Sequence, residues 1–174
     1  MTVKRENGVG KEEEILEQTL RPQSWEDYVG QEKVKNTLRI IIESAKKRGE
    51  ALEHLLFYGN SGLGKTSLAK VVANEMGSAM THCSGTSLER VGDIASLLTN
   101  LTDGEVLFID ECHRLPRATL ETLYSAMEDY KLHLVLGKGP MARTMELNLP
   151  RFTLIGATTK MAQLPSPFRS RFGA

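Results

Sequence analysis

Cysteine, tryptophan and long apolar runs are scarce in this chain, and each scarcity excludes something. Its 174 residues include only two cysteines, Cys83 and Cys112, with no CxxC or Cys/His cluster around either. Neither a disulfide framework nor a zinc site is therefore encoded, and both thiols read as small buried hydrophobes. No apolar stretch approaches the roughly 18 to 20 residues that a membrane span requires. The opening MTVKRENGVGKEEEILE lacks the apolar core of a secretory signal, so a cytoplasmic location without membrane association is expected. An overall charge is missing too, since 22 Lys and Arg balance 22 Asp and Glu. The balance is uneven along the chain: Lys131 to Ala174 carries seven basic residues against Glu146 alone. Such a segment meets nucleic acid, an acidic partner or phosphate groups, or is simply a solvated basic face.

What is present is enough for one ordinary globular domain, with 40% hydrophobic and 25% charged residues. A chain of this length buries roughly 70% of its unfolded surface, so it can build a core without covalent staples. There is no internal repeat, low-complexity tract or long linker; residues 1–17 form a polar lead-in and residues 18–174 read as one unit. From Gln31 to about Arg48, Val34, Leu38, Ile41, Ile42 and Ala45 recur at helical spacing, with Gly49 at the expected cap. The apolar run Leu55 to Tyr58 then breaks into the glycine loop Gly59-Asn60-Ser61-Gly62-Leu63-Gly64-Lys65-Thr66. Helical periods follow in Leu68, Val71, Val72 and Met76, and again in Leu88, Val91, Ile94, Ala95 and Leu98, before the apolar burst Val106 to Ile109. Leu120, Leu123, Tyr124 and Met127 mark another helix, and Phe152 to Ile155 another strand. This alternation predicts a parallel sheet flanked by helices, an α/β fold. Between the last helix and strand, alternating Leu132, Leu134 and Leu136, then Gly137 to Pro140, then Met145, Leu147 and Leu149 predict an inserted β-hairpin.

The loop from Gly59 to Thr66 fits G-x-x-x-x-G-K-[ST]. Glycines let successive backbone N–H groups turn inward toward phosphates, and the following helix adds the positive end of its dipole. Lys65 supplies a mobile cation for the terminal phosphates and the Thr66 hydroxyl can ligate Mg²⁺. Val106 to Ile109 ends in Asp110-Glu111. In a parallel sheet, ligands gather at the C-terminal strand ends, which brings Asp110 beside the loop to hold the metal partly through its water shell. Glu111, one residue on, can orient and deprotonate the water that attacks the γ-phosphate. His113 matches no metal-ligand spacing and is assigned no chemistry. Thr158 and Thr159 place two hydroxyls at the last strand end, suited to sensing the γ-phosphate or the attacking water. Arg169 and Arg171 close the chain, and an arginine aimed at phosphoryl oxygens stabilises transition-state charge.

Together these segments resemble the AAA+ ATPases, and more closely the RuvB family of Holliday-junction branch-migration motors. The resemblance runs from about Leu20 to Gly173. It rests on Leu20-Arg21-Pro22 with Tyr28-Val29-Gly30-Gln31, on the glycine loop, on Ser84-Gly85 through Gly92-Asp93, and on Leu98 to Leu101. Phe108 to Glu111, His113 to Pro116, Gly156 to Thr159 and Arg169 to Gly173 carry it further. The more specific stretches are Ala126-Met127-Glu128-Asp129-Tyr130 and Gly137-Lys138-Gly139-Pro140. The resemblance implies that Arg21, Pro22, Tyr28 and Val29 line an adenine pocket, with Gly59, Gly62, Leu63, Gly64, Lys65, Thr66 and Ser67 around the phosphates. It implies that Thr159 is the sensor-1 residue and that Arg171 is an arginine finger acting on ATP in the next subunit. It further implies a hairpin from 132 to 149 that docks on a RuvA-like junction-binding protein, and a hexameric ring around duplex DNA that turns ATP hydrolysis into translocation.

Asn60-Ser61 stands where the family has Pro-Pro or Asn-Pro, Cys112 replaces Ile, Lys160 replaces Arg, and Phe168-Arg169-Ser170-Arg171 replaces Leu-Arg-Asp-Arg. None removes a catalytic group, although a loop without proline is expected to be more flexible. Family members continue into a helical lid and a winged-helix domain, so the chain is expected to be the large ATPase subdomain of a longer motor, with weak or no turnover by itself. The competing reading is a nucleotide-dependent interaction module that lacks turnover. A small-molecule kinase is disfavoured by Asp110-Glu111 and the terminal arginine.

Overall fold

The computed structural model describes residues 21–136 and 143–174. The lead-in over 1–17, Leu20 and the Gly137-Lys138-Gly139-Pro140 turn lie outside the described residues. The chain runs through α1 (Glu32–Arg48), β1 (Leu55–Tyr58), α2 (Lys65–Met76), β2 (Met80–Ser84), α3 (Val91–Thr99), β3 (Val106–Asp110) and α4 (Arg117–Asp129). It continues with β4 (Lys131–Leu136), β5 (Arg143–Asn148), β6 (Thr153–Thr158) and a single helical turn, α5 (Ser166–Arg169). Four strands form a parallel sheet in the order β1-β6-β3-β2, as the strand and helix alternation predicts.

Apolar residues all along β3 and β6 follow from a sheet covered on both faces. Leu107, Ile109 and Leu154 point into a core built with α3 and α4, including Ile94, Leu98, Leu123 and Phe168. Val106, Phe108, Ile155 and Ala157 point the other way, against Leu38 and Ile42 of α1 and Leu68, Val71 and Val72 of α2. Cys112 is buried, and loss of hydration pushes its thiol up to about 12. Half-buried Cys83 is pushed up to about 11 for the same reason. Both behave as the hydrophobes expected of them.

β2 is not evident in the sequence because Met80-Thr81-His82-Cys83-Ser84 has no apolar run; it is a half-buried edge strand held by pairing to β3. The hairpin is present as antiparallel β4 and β5, with Leu132 opposite Leu147 and Leu134 opposite Met145. Lys131 closes its open end with a 2.7 Å contact to Glu146. Leu132 is buried in the core, whereas the strand from Arg143 is mostly exposed.

Before α1, residues 21–30 form a strap across one face. Asp27 accepts bonds from the Gln23 and Ser24 amides (3.2 and 3.1 Å) and makes it a tight turn. Trp25 and Tyr28 enter the α1/α2 core, and Asn74 of α2 donates to the Gln23 carbonyl at 2.8 Å.

Candidate nucleotide-binding site

Strand register gathers the chemistry at one edge of the sheet. Tyr58 pairs with Thr158 and Ser84 with Asp110, so the ends of β1, β6, β3 and β2 open on the same side. The glycine loop leaves β1 there, anchored by the Gly59 N–H to the Thr158 carbonyl at 3.2 Å. It feeds α2 through Gly64, which as a glycine brings no capping side chain. The first-turn N–H groups are thus left to the cradle, which is the arrangement that binds phosphate. Lys65 lies half-buried with its Nζ donating to the Gly59 and Asn60 carbonyls at 2.9 and 2.8 Å. Its ammonium thereby spans the loop it is expected to serve. Thr66 and Ser67 follow in the first turn, half-buried.

Asp110 ends β3 and accepts the Glu111 N–H at 2.8 Å. Glu111 itself has φ 48° and ψ 42°, a left-handed conformation that is uncommon for a side-chain-bearing residue and frequent at functional turns. That kink turns its carboxylate away from the strand direction, where Arg114 Nε meets it at 2.8 Å. Gly85 explains part of the strain's support: a Cβ there would sit 2.5 Å from the Glu111 carbonyl oxygen. Only glycine lets the end of β2 press against the Asp110-Glu111 turn, which gives Ser84-Gly85 a physical reason.

The two threonines have different fates. Thr158 is buried, and its Oγ1 accepts the Lys160 N–H at 3.0 Å and pairs with His113 Nδ1 at 3.0 Å. Burial pushes His113 below its ordinary value, so the neutral ring fits as acceptor of the Thr158 hydroxyl proton. Thr159 is half-buried and its hydroxyl has no partner among the described residues. Of the pair, Thr159 is the one left available to a ligand. His113, given no chemistry from its spacing, ties the Glu111 turn to the end of β6; nothing in its surrounding sequence signals this.

The strap residues differ in burial. Tyr28 is buried against the loop, its hydroxyl donating to the Leu63 carbonyl at 3.2 Å. Val29 is 92% exposed. Arg21 and Pro22 are half-buried at the start of the described chain; burial holds His82 of β2 below its ordinary value, Asp110 pulls it up, and the Arg21 charge adds to the lowering. Arg171 does not face the loop of its own chain. Its guanidinium lies 4.4 Å from the Tyr124 ring centre and 2.9 Å from Glu128, and also donates to the Pro167 carbonyl. Its side chain is 18% exposed, and its Nε has no partner among the described residues.

A parallel sheet whose first strand delivers a phosphate loop and whose third delivers an Asp-Glu pair defines a P-loop nucleotide-binding domain of the AAA+ type. The sequence from 20 to 174 matches the family described as the Holliday junction DNA helicase RuvB P-loop domain, and the chain belongs to that family. The Holliday junction branch migration complex subunit RuvB of Chloroflexus aggregans is 59% identical over 163 residues, which are 94% of this chain and 47% of that protein. Its counterpart in Aliarcobacter butzleri is 53% identical over 165 residues, 95% of this chain and 48% of the relative. Among solved structures, the Thermotoga maritima RuvB Holliday junction branch migration motor superposes with a TM-score of 0.76 at 46% identity, covering 88% of this chain and 47% of that one. The chain thus spans about half the length of the relatives it matches.

Proposed function

We propose that the chain binds ATP with Mg²⁺ at the Gly59–Thr66 loop and serves as the ATP-hydrolysing portion of a Holliday-junction branch-migration motor acting in DNA recombination and repair. The observation that carries this reading is the convergence at one sheet edge of the α2 N-terminus behind Gly64, Asp110-Glu111 and the Thr159 hydroxyl, which is unpartnered among the described residues.

The phosphates lie in the cradle of Gly59, Gly62, Leu63, Gly64, Lys65, Thr66 and Ser67. The donor set suits a hard cation: a hydroxyl at Thr66 and a carboxylate at Asp110 are the oxygen ligands that Mg²⁺ accepts alongside phosphate and water. Bound there, the ion would neutralise charge on the β- and γ-phosphates. Glu111 orients and deprotonates water, Thr159 reports on the γ-phosphate, and Lys65 leaves the loop carbonyls for the terminal phosphates. Arg21, Pro22, Tyr28 and Val29 lie on the strap that borders the base side.

Arg171 acts in trans within a ring, which matches the relatives' designation as subunits of a complex. The hairpin presents an exposed outer strand to a RuvA-like partner, so the basic C-terminal stretch need not touch DNA directly. A DNA-acting role places the chain in the cytoplasm. In the full-length motor, Glu111→Gln separates this reading from that of a module without turnover. ATP should still bind while hydrolysis is lost, and equal loss of binding in Glu111→Gln and Lys65→Ala overturns the assigned roles.

A further inference from the structure

We propose that Lys35 and Tyr28 form a brace that sets the shape of the phosphate loop, with Lys35 a positioning residue for nucleotide binding. The inference rests on the loop being the nucleotide site and adds to it a residue that no nucleotide motif of the chain includes.

Lys35 sits where a lysine is costly. It lies in the first turn of α1, at the positive end of that helix dipole, and is only 7% exposed. A non-polar residue of similar length would fill the space without either penalty. What the ammonium does there is specific: Nζ donates to the Tyr28 carbonyl at 2.9 Å and meets Glu32 at 3.1 Å. Between Tyr28 and α1 the chain passes through two successive left-handed residues, Gly30 (φ 88°) and Gln31 (φ 55°). The Lys35 bond closes this sharp turn and fixes where Tyr28 points.

Tyr28 in turn grips the loop at two consecutive residues. Its hydroxyl donates to the Leu63 carbonyl at 3.2 Å, and its ring lies against Gly64, where a Cβ would sit 3.0 Å from Oη. Burial raises the phenol above its ordinary value, so it stays a protonated donor. The path from the Lys35 ammonium to the Tyr28 carbonyl, then from the Tyr28 hydroxyl to the Leu63 carbonyl, ends at the peptides whose N–H groups face the phosphates. Asn60-Ser61 leaves this loop without a proline to stiffen it, and Tyr28 adds a hold from the strap to the one Lys65 makes within the loop. Tyr28 is therefore a brace on the phosphate side of the site as well as a neighbour of the base.

The test measures binding of ATP and of inorganic tripolyphosphate to the chain, with site stoichiometry and melting midpoint recorded. Lys35→Met removes the ammonium at nearly constant volume, and Tyr28→Phe removes only the hydroxyl. Each should weaken both ligands by the same factor, about three- to tenfold, as for the loss of one hydrogen bond. The double variant should be little weaker than the poorer single, because both act on one path, and Lys35→Arg should recover part of the loss. If Lys35→Met does not fold, Tyr28→Phe carries the same expectation. Unchanged affinities with a lowered melting midpoint would reduce the pair to structural packing and overturn the proposal. So would a loss for ATP alone, which would place the effect at the base. Wild-type chain that binds neither ligand would overturn the nucleotide site itself, whereas wild-type binding with unaffected variants overturns the brace alone.

Discussion

Replacing Gly64 by alanine tests whether the loop geometry, and not merely its composition, makes the site. Gly64 has φ 74°, and a Cβ there would lie 3.0 Å from Tyr28 Oη and 3.3 Å from its ring. The left-handed backbone costs an alanine roughly 1 to 2 kcal/mol. Displacing Tyr28 from the Leu63 carbonyl adds about 1 kcal/mol. Gly62 provides the internal control: φ is 81°, but a Cβ there would meet nothing within 4 Å. Gly62→Ala should therefore weaken ATP binding by about 5- to 30-fold, and Gly64→Ala by about fivefold more. Titration with a fluorescent ATP analogue, paired with melting curves, measures both affinity and any share of the strain carried by the ligand-free fold. Equal effects at the two glycines would refute the Tyr28 contact, and no loss in affinity or stability at either would refute the strained-loop argument.

If Arg171 completes the site of a neighbouring subunit, mixing Arg171→Ala with Lys65→Ala in the ring-forming assembly should restore ATPase activity that neither has alone; no recovery at any ratio contradicts the assignment. His54 gives a pH prediction. Its Nε2 donates to the Met127 carbonyl at 3.0 Å and its Nδ1 accepts the Leu154 N–H at 2.9 Å, which defines a neutral tautomer. Burial lowers its pKa below the ordinary 6.5, so below about that pH the unfolded chain binds a proton that the folded chain excludes. Stability is fully retained above pH 6.5 and falls below it, and thermal melts at pH 7.5 and 5.5 should show a lower midpoint at the acid value. A flat profile contradicts the buried neutral ring.

The parallel sheet was legible because β3 and β6 are buried on both faces and the edge strand β1 still reads Leu55-Leu56-Phe57-Tyr58, so all three appear as apolar runs. The loop and Asp110-Glu111 were legible because phosphate chemistry demands fixed residues at fixed spacing. β2 was not, since Met80 to Ser84 is at most half-buried and carries mixed residues. The division of labour between Thr158 and Thr159 was equally hidden. It depends on His113, 45 residues away in sequence and joined to Thr158 only by folding. Tyr28 could be flagged by resemblance, but its grip on Leu63 and its support by Lys35 arise from a turn of left-handed residues that hydrophobic periodicity does not report. Arg171 shows a similar limit: its docking on Tyr124 and Glu128 of its own α4 is not written in its sequence position.

The most direct test of the account is calorimetric titration of the chain with Mg²⁺ and ATP, run beside Lys65→Ala. Saturable one-to-one binding by the wild type, abolished in Lys65→Ala while the variant keeps its melting midpoint, is the predicted result. Wild-type chain that melts cooperatively yet binds no ATP, or a Lys65→Ala variant that binds as tightly as wild type, would contradict it.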